Sequence, residues 1–190
     1  MIINTCPYTK ADTFNFELAD GLGRRNIIAL HTAKQDYIPP HTAPFSIKYV
    51  LKGTETYKCE KQTLSVHPYK YLIINKNQTY SSEINTAATT LSFCVFFSDR
   101  FVSDALKYAM HSNEHFLENP TSSQARELNF DQKLHCIDNE MNSLLNAHCH
   151  DAHLNDDLKT DEWCSQLLAL LLSTHNDEQV KKFNIEATKH

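Results

Sequence analysis

Residues 45–80, FSIKYVLKGTETYKCEKQTLSVHPYKYLIINKNQTY, constrain this chain most, because they read as a run of short strands separated by tight turns. Phe45, Ile47, Tyr49 and Leu51 alternate with Ser46, Lys48 and Val50, which is the period of a strand and not of a helix. Lys52-Gly53-Thr54 turns the chain, with Gly53 supplying the positive φ that a tight turn often needs. A second strand over residues 54–59 and a third over 63–67 flank the polar Glu60-Lys61-Gln62. Pro68 stops the third, since it has no N–H to give a ladder, and residues 71–75 form a fourth run of strand length. Strands spaced this closely point to an antiparallel barrel or sandwich.

On the N-terminal side, Phe14, Phe16 and Leu18 alternate, Asp20-Gly21-Leu22-Gly23 turns, and residues 26–31 are strand-like. Residues 1–44 therefore read as an arm and a first pair of strands, with Pro39-Pro40 and Pro44 holding the next segment extended. On the other side, residues 81–90 are polar and read as a loop between strands. Residues 89–97 carry Leu91, Phe93, Val95 and Phe97 on one face and Cys94 and Phe96 on the other. A strand apolar on both faces belongs in the middle of a sheet, with Cys94 as a core thiol.

At Ser98 the period changes to that of a helix, with Ser98 as cap, Asp99 in the first turn, and Phe101, Val102, Ala105, Leu106 and Ala109 on one side. After a polar link at 113–126, Leu134, Ile137, Met141, Leu144 and Leu145 predict a second helix over 131–149. A third over 161–180 begins under Thr160. Its stripe of Trp163, Leu167, Leu170 and Leu171 is widened by Cys164, Leu168 and Leu172, so it must bury two sides.

At 190 residues the chain suffices for one core with an attached helical layer. Its six cysteines (Cys6, Cys59, Cys94, Cys136, Cys149, Cys164) lie far apart with no CxxC pair, and read as free thiols. The opening Met-Ile-Ile-Asn has no basic stretch before an apolar run, and nothing approaches the roughly 18 apolar residues of a membrane span, so a cytoplasmic protein is expected. A net charge of −5 with scattered Lys and Arg argues against direct contact with nucleic acid, which needs a basic face.

Three segments together carry a resemblance: Tyr49-Val50-Leu51-Lys52-Gly53, then Val66-His67-Pro68-Tyr69-Lys70-Tyr71-Leu72-Ile73-Ile74-Asn75, then Phe93-Cys94-Val95-Phe96-Phe97. They resemble the N-terminal cupin-type ligand-sensing and dimerisation domain of AraC-family transcription regulators. Residues 68–75 are similar to that family's PGxYLLxN segment, with Lys70 expected where glycine is usual. The resemblance covers residues 45–100 well, the helices by pattern only, and residues 1–40 hardly at all. It implies a mainly β fold with C-terminal helices: a cupin-like double-stranded β-helix, or jelly-roll barrel, followed by a helical layer. Residues 1–100 would form the barrel with its N-terminal arm, 101–180 a helical dimerisation layer, and 181–190 the start of a linker.

The same resemblance implies a homodimer that binds a small-molecule effector in the barrel and controls an attached helix-turn-helix domain. DNA would be met only through that separate domain, which is absent from this chain. The end of the chain, where a linker would begin, favours a truncated piece of a longer regulator over a stand-alone module. The alternatives are a cupin enzyme and a small-molecule-binding cupin unrelated to transcription.

Cupin enzymes hold a metal through His-x-His, then Glu, then a later His. Counted from Gly53 and Pro68, those positions fall on Pro39, His41, Ser46 and Ile73. One imidazole, a proline, a hydroxyl and an isoleucine cannot build such a site, so no metal, no cofactor and no catalytic residue is expected. The same positions can line a pocket instead. With Ser46, Lys48 and Val50 facing inward, the ligand-binding set becomes His41, Ser46, Lys48 and Tyr80. A lysine inside a barrel is costly unless paired or facing an anion; with the faces reversed, Lys48 is solvated and Tyr49 is core. His148-Cys149-His150-Asp151-Ala152-His153 offers metal donors, but their spacing matches no closed four-ligand set and reads as a solvated loop. By analogy with the family, the third helix offers a dimer seam of Trp163, Leu167, Leu168, Leu171 and Leu172.

Overall fold

The computed structural model of the chain describes residues 2–3, 22–60, 62–111, 128–150 and 157–175. Its sheet contains β1 (Ile2–Ile3), β2 (Ile27–Thr42), β3 (Ser46–Lys52), β4 (Glu55–Cys59), β5 (Gln62–Val66), β6 (Lys70–Ile74), β7 (Thr79–Phe96) and β8 (Leu134–Cys136). Two long strands organise it. The 16-residue β2 and the 18-residue β7 pair antiparallel from Ile27↔Phe96 to Thr42↔Thr79. The C-terminal part of β7 pairs on its other side with β3, and its N-terminal part with β4, so each long strand belongs to both walls of a barrel. Register shifts between Ala33 and Gln35 and between Ile38 and His41 bend the ladder between those walls, as bulges do.

This corrects the sequence reading of residues 81–90 and agrees with the extended reading of Pro39-Pro40. Residues 81–90 are not a loop but the middle of β7, and Pro39-Pro40 lie within β2, at one of its register shifts. A proline can sit in a ladder where a bulge removes the demand for its N–H. The turn at Gly53 is as expected, with φ 86°. In the Pro68 segment, however, the left-handed residue is Tyr69, at φ 75°, and not Lys70, which opens β6 opposite Cys136.

Three helices follow: α1 (Asp99–His111), α2 (Asn139–His150) and α3 (Asp157–Thr174). Ser98 caps α1, its Oγ accepting from the Phe101 N–H at 3.2 Å. Asn26 braces that corner, its Oδ1 accepting from the Ser98 N–H at 2.9 Å while its amide donates to Asp161 on α3 at 2.8 Å. The helix expected over 131–149 is divided. Leu134–Cys136 returns to the sheet as β8 beside β6, and α2 starts only after Asp138, whose carboxylate accepts from the Met141 N–H at 2.8 Å. The spacing of Leu134, Ile137 and Met141 imitates one continuous stripe, and the cap residue Asp138 marks the true start. The third helix begins four residues earlier than the expected Asp161, at Asp157.

The sheet separates two apolar clusters. On its outer face Ile47, Tyr49, Tyr71, Ile73, Phe93 and Val95 pack against the helices, through Leu106, Met141, Leu145 and Trp163 among others. Inside the barrel lie Ile27, Ala29, Val50, Tyr57, Cys59, Leu72, Ile74, Tyr80 and Phe96. Strand alternation thus sends Tyr49 to the helices and Lys48 to the interior, both of them buried. Among the described residues no helix is long and apolar enough to cross a membrane.

Candidate functional site

A cavity opens in the barrel interior, and each wall contributes by strand alternation. Ala29, His31, Ile38 and His41 come from β2, Lys48 from β3, Glu55 and Tyr57 from β4, and Tyr80, Ser82, Ser92, Cys94 and Phe96 from the two ends of β7. About 20 Å³ is free to the centre of a water molecule, room for one or two waters.

Lys48 sets the electrostatics. It is 1% exposed, and its Nζ lies 4.0 Å from the centre of the Phe96 ring and 4.9 Å from that of Tyr80. Ring faces are negative, so they partly stand in for the water the ammonium has lost. Among the described residues Lys48 makes no ion pair and no hydrogen bond. Its field is felt around the cavity. His41 is held down at about 4, first by burial and further by the Lys48 charge, against a hydrogen bond between Nδ1 and the Pro39 carbonyl at 2.8 Å. Burial pushes the Cys59 thiol up to about 11 and also raises the Cys94 thiol and the Tyr57 hydroxyl, with Lys48 opposing the shift of both thiols. These thiols are weak nucleophiles as they stand.

Other polar atoms in the wall are unsatisfied. Glu55 Oε2 and Ser92 Oγ are buried without a hydrogen-bond partner among the described residues, and Ser46 Oγ, on the same strand as Lys48, is in the same state. His31, another lining residue, has its Nε2 2.9 Å from Asp36 Oδ2.

Of the residues expected from sequence, His41, Lys48 and Tyr80 come together on the cavity wall, with the His41 and Tyr80 rings 4.4 Å apart. Ser46 is buried but is not among the lining residues. Glu55, Tyr57, Ser92, Cys94 and Phe96 were missed as site residues. The signal for Glu55 and Tyr57 lay in plain alternation, since Glu55, Tyr57 and Cys59 share one face of a strand whose partner face is polar. Of the counted metal positions, His41 lines the cavity whereas Ile73 faces the helices. Among the described residues no three His, Cys, Asp or Glu side chains gather as a metal site. Residues 151–153 of the histidine-rich segment lie outside the described residues, as do the side chains of 148–150.

The expected seam on α3 is placed in the core of the single chain. Trp163, Leu167, Leu168 and Leu171 are buried and Leu172 is partly buried, all in the cluster between helices and sheet. Trp163 meets the Phe93 ring edge-on at 5.8 Å, and its indole N–H donates to the Leu144 carbonyl at 2.9 Å. Most of the apolar surface of α3 is used within one chain, against β7, α1 and α2, while Leu170 and Leu172 stay partly exposed.

Comparison with known proteins agrees with this architecture. The sequence model of the ExsA N-terminal regulatory domain family matches residues 46–183. No curated protein matches the chain. Among solved structures, ToxT from Vibrio cholerae superposes with a TM-score of 0.52 at 12% identity, over 80% of this chain and 58% of that one. A fatty-acid-bound ToxT from strain SCE256 gives the same TM-score of 0.52 at 12% identity, over 83% and 57%. The chain therefore spans less than two thirds of the ToxT chains it matches. At such identity the likeness shows a shared fold. A cupin superfamily protein from Desulfitobacterium hafniense, at a TM-score of 0.36, 13% identity and 40% of this chain against 69% of its own, is too distant to add to that.

Proposed function

The chain belongs to the ExsA N-terminal regulatory domain family of AraC-type regulators, and from that premise we propose that its barrel cavity takes up a small-molecule effector. The observation that carries this reading is Lys48: an ammonium 1% exposed, resting on two ring faces and without an ion pair among the described residues. A buried charge of this kind costs stability unless something meets it. ToxT structures hold an unsaturated fatty acid and (E)-4-(8-methylnaphthalen-1-yl)but-3-enoic acid, both carboxylic acids and so partners for an ammonium. His41, Lys48 and Tyr80 form the effector set, joined by Glu55 and Ser92; Ser46, buried on the same face of β3 as Lys48, stands outside the lining.

Binding changes output by shifting a population. An effector that meets Lys48 fixes β3, whose outward residues Ile47 and Tyr49 pack in the helix-side core, and so biases the helical layer. That layer would report to a separate DNA-binding domain in a cytoplasmic regulator. In this reading residues 1–100 hold the effector and 101–180 carry the dimer contact. With Trp163, Leu167, Leu168 and Leu171 inside the chain, the contact would use the outer side of the α2–α3 pair, where Ser143, Gln166, Ala169 and Ser173 line a groove. We read the chain as a binding module and not an enzyme. The regulatory-domain family supports this, and so does the one thiol lining the cavity among the described residues, Cys94, which burial keeps protonated.

Thermal unfolding with a panel of small metabolites tests the reading. An effector at about 100 times its Kd should stabilise the wild type by about 2.7 kcal/mol. Lys48→Met should lose that gain. An equal gain in both proteins, or none across the panel, contradicts the reading.

A further inference from the structure

Two opposite charges face the same barrel cavity, and neither makes an ion pair among the described residues. Lys48, on β3, and Glu55, at the start of β4, are held on either side of the Gly53 turn, 1% and 4% exposed. Glu55 Oε2 has no hydrogen-bond partner there, and neither does the hydroxyl of Ser92, which lines the same space. The Tyr57, Tyr80 and Phe96 rings complete the wall. Resting on the reading of this cavity as an effector site, we infer that its ligand is a small zwitterion, a short amino carboxylate.

The reasoning is one of charge balance in a poorly hydrated space. A simple anion would meet Lys48 but stand near the Glu55 carboxylate, which has a hydrogen bond with Tyr57 and one oxygen, Oε2, left without a partner among the described residues. A simple cation would meet Glu55 and be repelled by Lys48. A molecule carrying both charges satisfies both walls at once, adds no net charge to the interior, and leaves a second carboxylate oxygen to accept from the Ser92 hydroxyl. Strand geometry sets the two receiving groups in advance, which lowers the cost of ordering them on binding. Size points the same way. With about 20 Å³ free to water centres, the smallest zwitterions need the least movement of the walls and a long chain the most.

Calorimetric titration of the whole chain with six probes tests this: glycine and β-alanine as zwitterions, propionate as anion, propylamine as cation, erythritol as a neutral polyol, and oleate as a long-chain acid. A zwitterion should bind at least about tenfold more tightly than propionate or propylamine, since one charge contact is lost with each. Glu55→Gln, checked for folding by circular dichroism, should bring β-alanine down to the level of propionate without weakening propionate. The comparison among probes on the wild type stands even where that variant does not fold. Propionate or erythritol binding as tightly as the zwitterions would overturn the inference. Oleate binding while the zwitterions do not would overturn it too, but would leave the effector-domain reading intact. Silence from all six would count against both.

Discussion

The two faces of strand β3 differ in what their neighbours give back. Outward, Ile47 and Tyr49 enter an apolar cluster closed by Phe93, Val95, Leu145, Trp163 and Leu167, in which the one indole N–H is satisfied. Inward, one residue away along the same strand, Lys48 has only ring faces, and Ser46 Oγ has no partner among the described residues. The first arrangement is what a stable interface needs. The second lowers stability and makes sense where a ligand completes it. The contrast shows how a small domain can carry unsatisfied polar groups: close packing on one side of the sheet offsets them on the other.

The largest effect that could break this contrast lies on the helix side. Phe93→Ala removes a buried ring that meets Trp163 edge-on, and should cost about 3–5 kcal/mol in urea unfolding. A cost well below that range would mean the helical layer contributes little to the core. On the interior side the sign should differ. The double variant Lys48→Met with Glu55→Gln removes both unpaired charges, and should leave stability unchanged or raise it by about 1–4 kcal/mol in the same assay. A loss of that size would show that the two charges hold the fold together.

Gly53 joins the walls from which those charges project. A Cβ added there would lie 2.8 Å from Thr90 Cα, and its φ is 86°. Gly53→Ala should therefore cost about 1–3 kcal/mol, read by thermal or urea unfolding. The smallest effect belongs to His41, held at about 4 chiefly by burial. Between pH 6.5 and about 4 the unfolded chain takes up a proton that the folded one does not. Stability from this site is thus complete above pH 6.5 and is lost as pH falls toward 4. Partial exposure limits it to about 1 kcal/mol. Urea midpoints at pH 7 and pH 5 should differ less in His41→Gln than in the wild type; an equal difference would remove His41 as the cause.

Much of this was legible in the residues themselves. Alternation over 45–51 placed Lys48 on a face opposite Tyr49, and the structure buries both because the sheet is packed on both sides. The Ser98 cap and the central strand through Phe93 were equally plain. What alternation does not reveal is where a long strand bends and continues. Residues 81–90 look polar because they lie in the stretch of β7 where Glu83, Asn85, Ala87 and Ala88 are not fully buried, and so they read as a loop. Glu55 escaped notice because a glutamate after a turn is ordinarily solvated. Only the closure of β4 against β7 carries it inside. The α3 stripe was visible, but sequence does not say that β7, α1 and α2 would cover most of it.

The most direct test is where a bound molecule is felt. Ring signals of Tyr57, Tyr80 and Phe96, and the Trp163 indole N–H, can be followed by NMR as β-alanine is added to the whole chain. The rings line the cavity, while the indole is bonded to Leu144 on the helix side. The account predicts saturable shifts of the three ring systems with the indole signal moving far less. Shifts confined to Trp163 and to Leu144 and Leu170 in the α2–α3 groove, with the cavity rings unmoved, would contradict it.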